Sequence, residues 1–139
     1  MKEYEFKDIE VGMEVSFEYV IDEEMMYMFK NISKDTNPLH NDLEYAKENG
    51  YKEKVVYGLL TASCLSSLAG MYIPGKYSLI HNIEISFIKP VYLRDCPLIV
   101  QAKVVSIDER FKQIELKYNI YNQNKEKVCR GKMKIGVTK

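Results

Sequence analysis

Between Lys54 and Lys76 the chain carries no formally charged residue. An uncharged run of that length either crosses a bilayer or is enclosed by protein. Its make-up favours enclosure: Thr61, Ser63, Ser66 and Ser67 dilute it, and Tyr57, Gly58 and Gly70 interrupt its ends. The expectation is one long buried helix from Gly58 to about Tyr72, closed by Pro74-Gly75. Leu59, Leu60, Leu65 and Leu68 are its bulky residues, and Ala62, Ser63, Ser66, Ser67, Ala69 and Gly70 its small ones. Small faces let a sheet approach closely, so the helix suits a curved sheet wrapped around it.

The remainder supplies that sheet. Leu79, His81, Ile83, Ile85 and Phe87 share one parity, opposed by Ile80, Asn82, Glu84, Ser86 and Ile88. Leu98 to Ile107 is apolar on both parities in its first half. Ile114, Leu116, Tyr118 and Ile120 alternate with Glu115, Lys117 and Asn119, and Cys129, Met133, Ile135 and Val137 with Arg130, Lys132 and Lys134. Asp108-Glu109-Arg110 and Asn122-Gln123-Asn124 read as hairpin turns. Near the N-terminus, Glu14 to Ile21 alternates as a first strand. Asp22 then caps a helix whose buried face is expected at Met25, Met28, Phe29 and Ile32. Asp42 caps a short helix from Leu43 to Glu48, which Asn49-Gly50 ends. One helix enclosed by an antiparallel sheet of about five strands is an α+β architecture.

At 139 residues the chain is read as one domain, residues 1–139, large enough for its own core. Lys plus Arg equals Asp plus Glu, which excludes a nucleic-acid footprint in the net charge. No apolar leader opens the chain, so no secretory signal is expected, and the uncharged run is read as core rather than as a membrane anchor. Cys64, Cys96 and Cys129 are odd in number and lack metal spacing, which suits reduced thiols in the cytoplasm. Two histidines without a carboxylate cluster at ligand spacing point to no metal site.

The chemistry concentrates in Ile32 to Asp42. Asp35 and His40, fully extended, would stand about 17 Å apart. Asn37-Pro38 lies between them and starts a turn, since proline fixes its own φ and biases the residue before it. A turn folds the carboxylate and the imidazole onto one water or substrate atom, the minimum kit for general acid–base work near neutral pH. The bland alternative keeps Asp35 as a loop cap and His40 as a satisfied histidine. His81 reads as a strand-end residue. Tyr57, Tyr72 and Tyr77 could border a pocket, although eleven tyrosines make such assignments cheap.

Ser33-Lys34-Asp35-Thr36-Asn37-Pro38-Leu39-His40, followed by Ala46, resembles the signature S-G-D-x-N-P-L-H-x5-A of the (R)-specific enoyl-CoA hydratases in the MaoC-like dehydratase family. Val56-Tyr57-Gly58-Leu59-Leu60-Thr61-Ala62-Ser63 resembles the start of that family's central helix. The resemblance implies a hot-dog fold, a homodimer joined edge to edge, and hydro-lyase activity on an acyl-thioester substrate, with no cofactor. It assigns Asp35 and His40 as the catalytic pair and the Gly58 amide as the oxyanion donor. Asn37 would shape the loop, and Ser66 would support the pair. Lys34 stands where the family has glycine, so the turn beside Asp35 is the point of departure. A hot-dog thioesterase and a non-catalytic acyl-thioester-binding module are the alternatives.

Overall fold

A computed structural model describes Met1–Lys139 throughout. After a turn of 3-10 helix, β1 (Glu14–Tyr19) leads into α1 (Glu23–Ser33), α2 (Pro38–Asn41) and α3 (Leu43–Glu48). Next come α4 (Gly58–Ala62), α5 (Cys64–Ser67) and a π-helical turn over Leu68–Tyr72. Strands β2 (Ser78–Phe87), β3 (Leu98–Asp108), β4 (Gln113–Tyr121) and β5 (Lys127–Val137) complete the chain. The five strands form one sheet in the order β1-β3-β4-β5-β2, every pair antiparallel. The expected five-stranded α+β sheet around a central helix is therefore present, in the hot-dog arrangement.

Alternation explains which sheet face is inside. Val100, Ala102 and Val104 on β3, Leu116, Tyr118 and Ile120 on β4, and Met133 and Ile135 on β5 all bury toward Leu60, Cys64, Leu65 and Leu68. Tyr118 keeps its hydroxyl in this apolar layer because it donates to the Glu84 carbonyl at 2.6 Å. Gly131 makes the approach possible: a Cβ there would lie 1.9 Å from the Glu84 oxygen and 2.5 Å from the tyrosine hydroxyl.

The central helix departs from the expected single piece, for a local reason. The Ser63 hydroxyl donates to the Leu60 carbonyl at 2.6 Å and takes a hydrogen bond from the Tyr19 hydroxyl at 2.7 Å. Such back-bonding competes with the regular ladder and breaks the helix between α4 and α5. The last turn widens, with the Ile73 amide reaching the Leu68 carbonyl at 3.0 Å.

Two further expectations need correction. The first strand ends at Tyr19, two residues short of Ile21. On α1 the face is rotated: Met26 is buried, Met25 and Phe29 are half-buried, and Met28 and Ile32 are 53% and 77% exposed. Apolar residues at 25, 26, 28, 29 and 32 support two overlapping stripes, and packing selects the one centred on Met26. The Asp22 cap is as expected, accepting from the Met25 amide at 2.9 Å, and so is the Asp42 cap on α3, accepting from the Tyr45 amide at 3.0 Å.

β2 is an edge. It pairs with β5 on one side only, and Leu79, Ile83, Phe87 and Ile88 are exposed along it. The register shifts between Ile80 and Asn82, which interrupts the uniform parity expected from Leu79 to Phe87. His81 sits at this shift and accepts from the Gln113 side-chain amide through Nδ1 at 2.7 Å, a strand-side role.

Candidate active site

The loop after α1 begins with a left-handed residue. Lys34 adopts φ 61° and ψ 17° as the C-cap of α1, its amide donating to the Lys30 carbonyl. This is the conformation glycine takes most readily, and lysine holds it here at the cost of a crowded Cβ. The chain then folds tightly around Asp35. Its amide donates to the Ser33 hydroxyl at 3.2 Å, and its Oδ1 accepts from the Asn37 amide at 3.0 Å. Asn37 in turn caps the one-turn helix α2, accepting from the Leu39 amide at 2.9 Å, with Pro38 at its first position. Asn37 is thus a shaping residue.

α2 carries His40 inward. Its Nδ1 lies 2.6 Å from the Val55 carbonyl oxygen. A carbonyl only accepts, so Nδ1 holds the hydrogen and the neutral ring presents the lone pair of Nε2 as its base. The Val55 segment is itself anchored: its amide donates to the Leu39 carbonyl at 3.1 Å, and the Val56 amide donates to Val91 at 2.8 Å.

Tyr57 joins the two candidate catalytic residues. Its ring stacks on the His40 ring at 4.2 Å between centroids and packs on Phe29 at 4.9 Å. Its hydroxyl donates to the Asp35 backbone carbonyl at 2.6 Å and accepts from the Asn41 side-chain amide at 3.1 Å. Tyr57 is 2% exposed, so it is a buried brace and not a pocket border. Among eleven tyrosines nothing in its letter marks this role; only its place immediately before Gly58 could have drawn notice. Tyr72 stacks on Phe17 at 4.1 Å, and Tyr77 packs beside Lys76 and Lys139, both away from Asp35 and His40.

Gly58 follows Tyr57 directly and opens α4, and its amide makes no hydrogen bond. Unpaired amides at a helix start are oriented toward an incoming acceptor. A Cβ at Gly58 would meet the Phe87 ring at 3.1 Å, so the glycine keeps this approach narrow but open. A cavity of about 280 Å³ lies here, lined by Gly58, Thr61 and the segment Phe87 to Val91. Ser66 is exposed, and its hydroxyl makes no hydrogen bond to Asp35, His40 or any other group of the chain. The serine engaged by a neighbour is Ser63. No three His, Cys, Asp or Glu side chains cluster in a way that could hold a metal ion. No helix is long and apolar enough to cross a membrane.

The three thiols are free. Burial pushes the Cys64 thiol up to about 12 and that of Cys129 to about 11. Both belong to the core.

Comparison with known proteins places the chain in a family. The family model for the MaoC-like domain matches residues 6–125. An (R)-specific enoyl-CoA hydratase of Rhodospirillum rubrum is 33% identical over 90 residues, covering 65% of this chain and 62% of its own. A protein of the same name from Aeromonas caviae is 33% identical over 89 residues, covering 64% of this chain and 66% of its own. The match thus spans slightly less than two thirds of these relatives' length. The solved (R)-hydratase from A. caviae involved in PHA biosynthesis superposes with a TM-score of 0.88 at 27% identity, covering 94% of this chain and 98% of that one. With the signature loop, the wrapped central helix and a family match over most of its length, the chain belongs to the MaoC-like domain family.

Proposed function

We propose that this protein is an (R)-specific enoyl-thioester hydratase, adding water reversibly across the 2,3 double bond to give a 3-hydroxyacyl thioester. The observation that carries the reading is the shared brace. Tyr57 holds the Asp35 backbone through its hydroxyl and the His40 ring through its face, while Val55 leaves Nε2 as the free base. In this reading the Asp35 carboxylate and the His40 imidazole act on one water. One takes its proton as oxygen attacks C3, and the pair returns a proton to C2, steps worth about 10²–10⁴-fold each. The Gly58 amide stabilises the enolate-like oxygen that develops on the thioester. The thioester itself acidifies C2, so the reaction calls for no redox cofactor. Relatives named as (R)-specific hydratases support the stereochemistry.

The working unit in this reading is a homodimer joined through the free edge of β2, where exposed Leu79, Ile83, Phe87 and Ile88 would be covered. The substrate is a CoA or acyl-carrier thioester of fatty acid metabolism, and reduced thiols suit work in the cytoplasm. The test is the absorbance of crotonyl-CoA near its enoyl band, with the product resolved on a chiral column. Loss of absorbance and (R)-3-hydroxybutyryl-CoA are expected. Release of free thiol without hydration would replace this reading with a thioesterase.

A further inference from the structure

Two buried side-chain polar atoms have no hydrogen-bond partner, Glu53 Oε2 and Thr61 Oγ1. The first lies 2.9 Å from the Arg94 guanidinium and is compensated by charge. The second is an orphan: Thr61 is 1% exposed and its hydroxyl has no hydrogen-bond partner. A helical threonine commonly returns its hydroxyl to a carbonyl three or four residues back. Here the Tyr57 carbonyl takes the Thr61 amide at 3.0 Å and the hydroxyl is left over. Buried hydroxyls without partners are rare in folded proteins, and each calls for a reason.

The position supplies one. Helical Cα–Cβ bonds lean toward the N-terminus, so the Thr61 side chain covers the turn before it, which holds Gly58. Both residues border the same cavity, and the Gly58 amide is also unpaired. Two unused donors one turn apart fit one acceptor with two lone pairs and growing negative charge. We propose that the Thr61 hydroxyl is a second hydrogen-bond donor to the thioester carbonyl oxygen, beside the Gly58 amide. This rests on the hydratase reading for the identity of the ligand. The Phe87 ring rests on Gly58 and lines the same cavity.

The test compares Thr61→Val, which keeps the shape and removes the donor, with Thr61→Ser, which keeps the donor. Crotonyl-CoA reports turnover. Hexadienoyl-CoA, whose longer conjugation disfavours hydration, reports carbonyl polarisation as a red shift of its absorbance on binding. Thr61→Val should lose 10- to 100-fold in kcat with KM little changed, and lose most of the red shift, while its melting temperature holds or rises. Thr61→Ser should stay within about threefold of the parent on both readouts. If Thr61→Val fails to fold, Thr61→Ala set against Thr61→Ser isolates the same hydroxyl. Parental turnover and an unchanged red shift in Thr61→Val would overturn the assignment while leaving the hydratase reading intact. A red shift that depends on Thr61 in a protein that does not hydrate crotonyl-CoA would keep the donor and remove the hydratase reading. No binding and no hydration by the parent would remove both.

Discussion

Replacing Tyr57 by phenylalanine removes one oxygen from the brace and nothing else. The ring would still stack on His40 and on Phe29, so the imidazole should stay where it is. The Asp35 carbonyl would lose its 2.6 Å partner, and Asn41 would keep only its bond to the Asn37 carbonyl at 2.9 Å. A neutral hydrogen bond is worth about 1 kcal/mol net, and about 1–3 if the carbonyl is left without water, so about 1–2 kcal/mol is the expected stability loss. For a chain of this size that lowers the melting temperature by roughly 3–6 °C. The larger effect should be on rate. Freed at its carbonyl, the turn around Asp35 no longer fixes the carboxylate, and about 1 Å of misplacement can cost on the order of 10²-fold. Tyr57→Phe should therefore lower kcat for crotonyl-CoA by about 10-fold or more, with KM nearly unchanged, in a protein that still melts cooperatively. Stopped assays at saturating substrate beside a thermal melt decide it. A lowered melting temperature with kcat within twofold of the parent would refute the idea that this hydroxyl places the carboxylate.

Three further outcomes are expected. Lys34→Gly should leave turnover intact or slightly improved and stability within about 1 kcal/mol, because relief of the crowded Cβ at φ 61° offsets the extra chain entropy of glycine; a collapse in rate would give the lysine a direct role. Ile83→Lys, on the free edge of β2, should convert the proposed dimer to a monomer by light scattering, and a variant still dimeric would move the interface elsewhere. Unfolded thiols ionise near pH 8.5–9, whereas the folded Cys64 and Cys129 hold their protons to about 12 and about 11. The unfolded state therefore binds fewer protons above pH 9, and stability should fall from there toward pH 11. Cys129→Ala should show a shallower fall in denaturant titrations at pH 8 to 10.5.

The sheet was legible because β4 and β5 alternate cleanly and the caps at Asp22 and Asp42 carry their own chemistry. The break in the central helix was not, since it depends on Tyr19 reaching Ser63 across more than forty residues of chain. The buried face of α1 was misplaced because its methionines satisfy two stripes equally well, and only contact with the core chooses Met26. In the candidate site, the tight turn around Asp35 and the Asn37 cap were legible through the turn chemistry of Asn37-Pro38. The Tyr57 brace and the unpartnered Thr61 hydroxyl were not, since both are defined by what surrounds them, which no local pattern records. Ser66 was drawn by its place in the pattern, yet in the chain its side chain faces out.

The central claim is that Asp35 and His40 work on one water as a unit, and a double-mutant cycle tests it most directly. Asp35→Asn, His40→Ala and the two together are compared with the parent for kcat on crotonyl-CoA, each variant first shown to be folded. Groups that act as a unit are strongly non-additive, so the double variant should be no slower than the worse single one. Losses that multiply, or a single variant with the parent's turnover, would contradict the account.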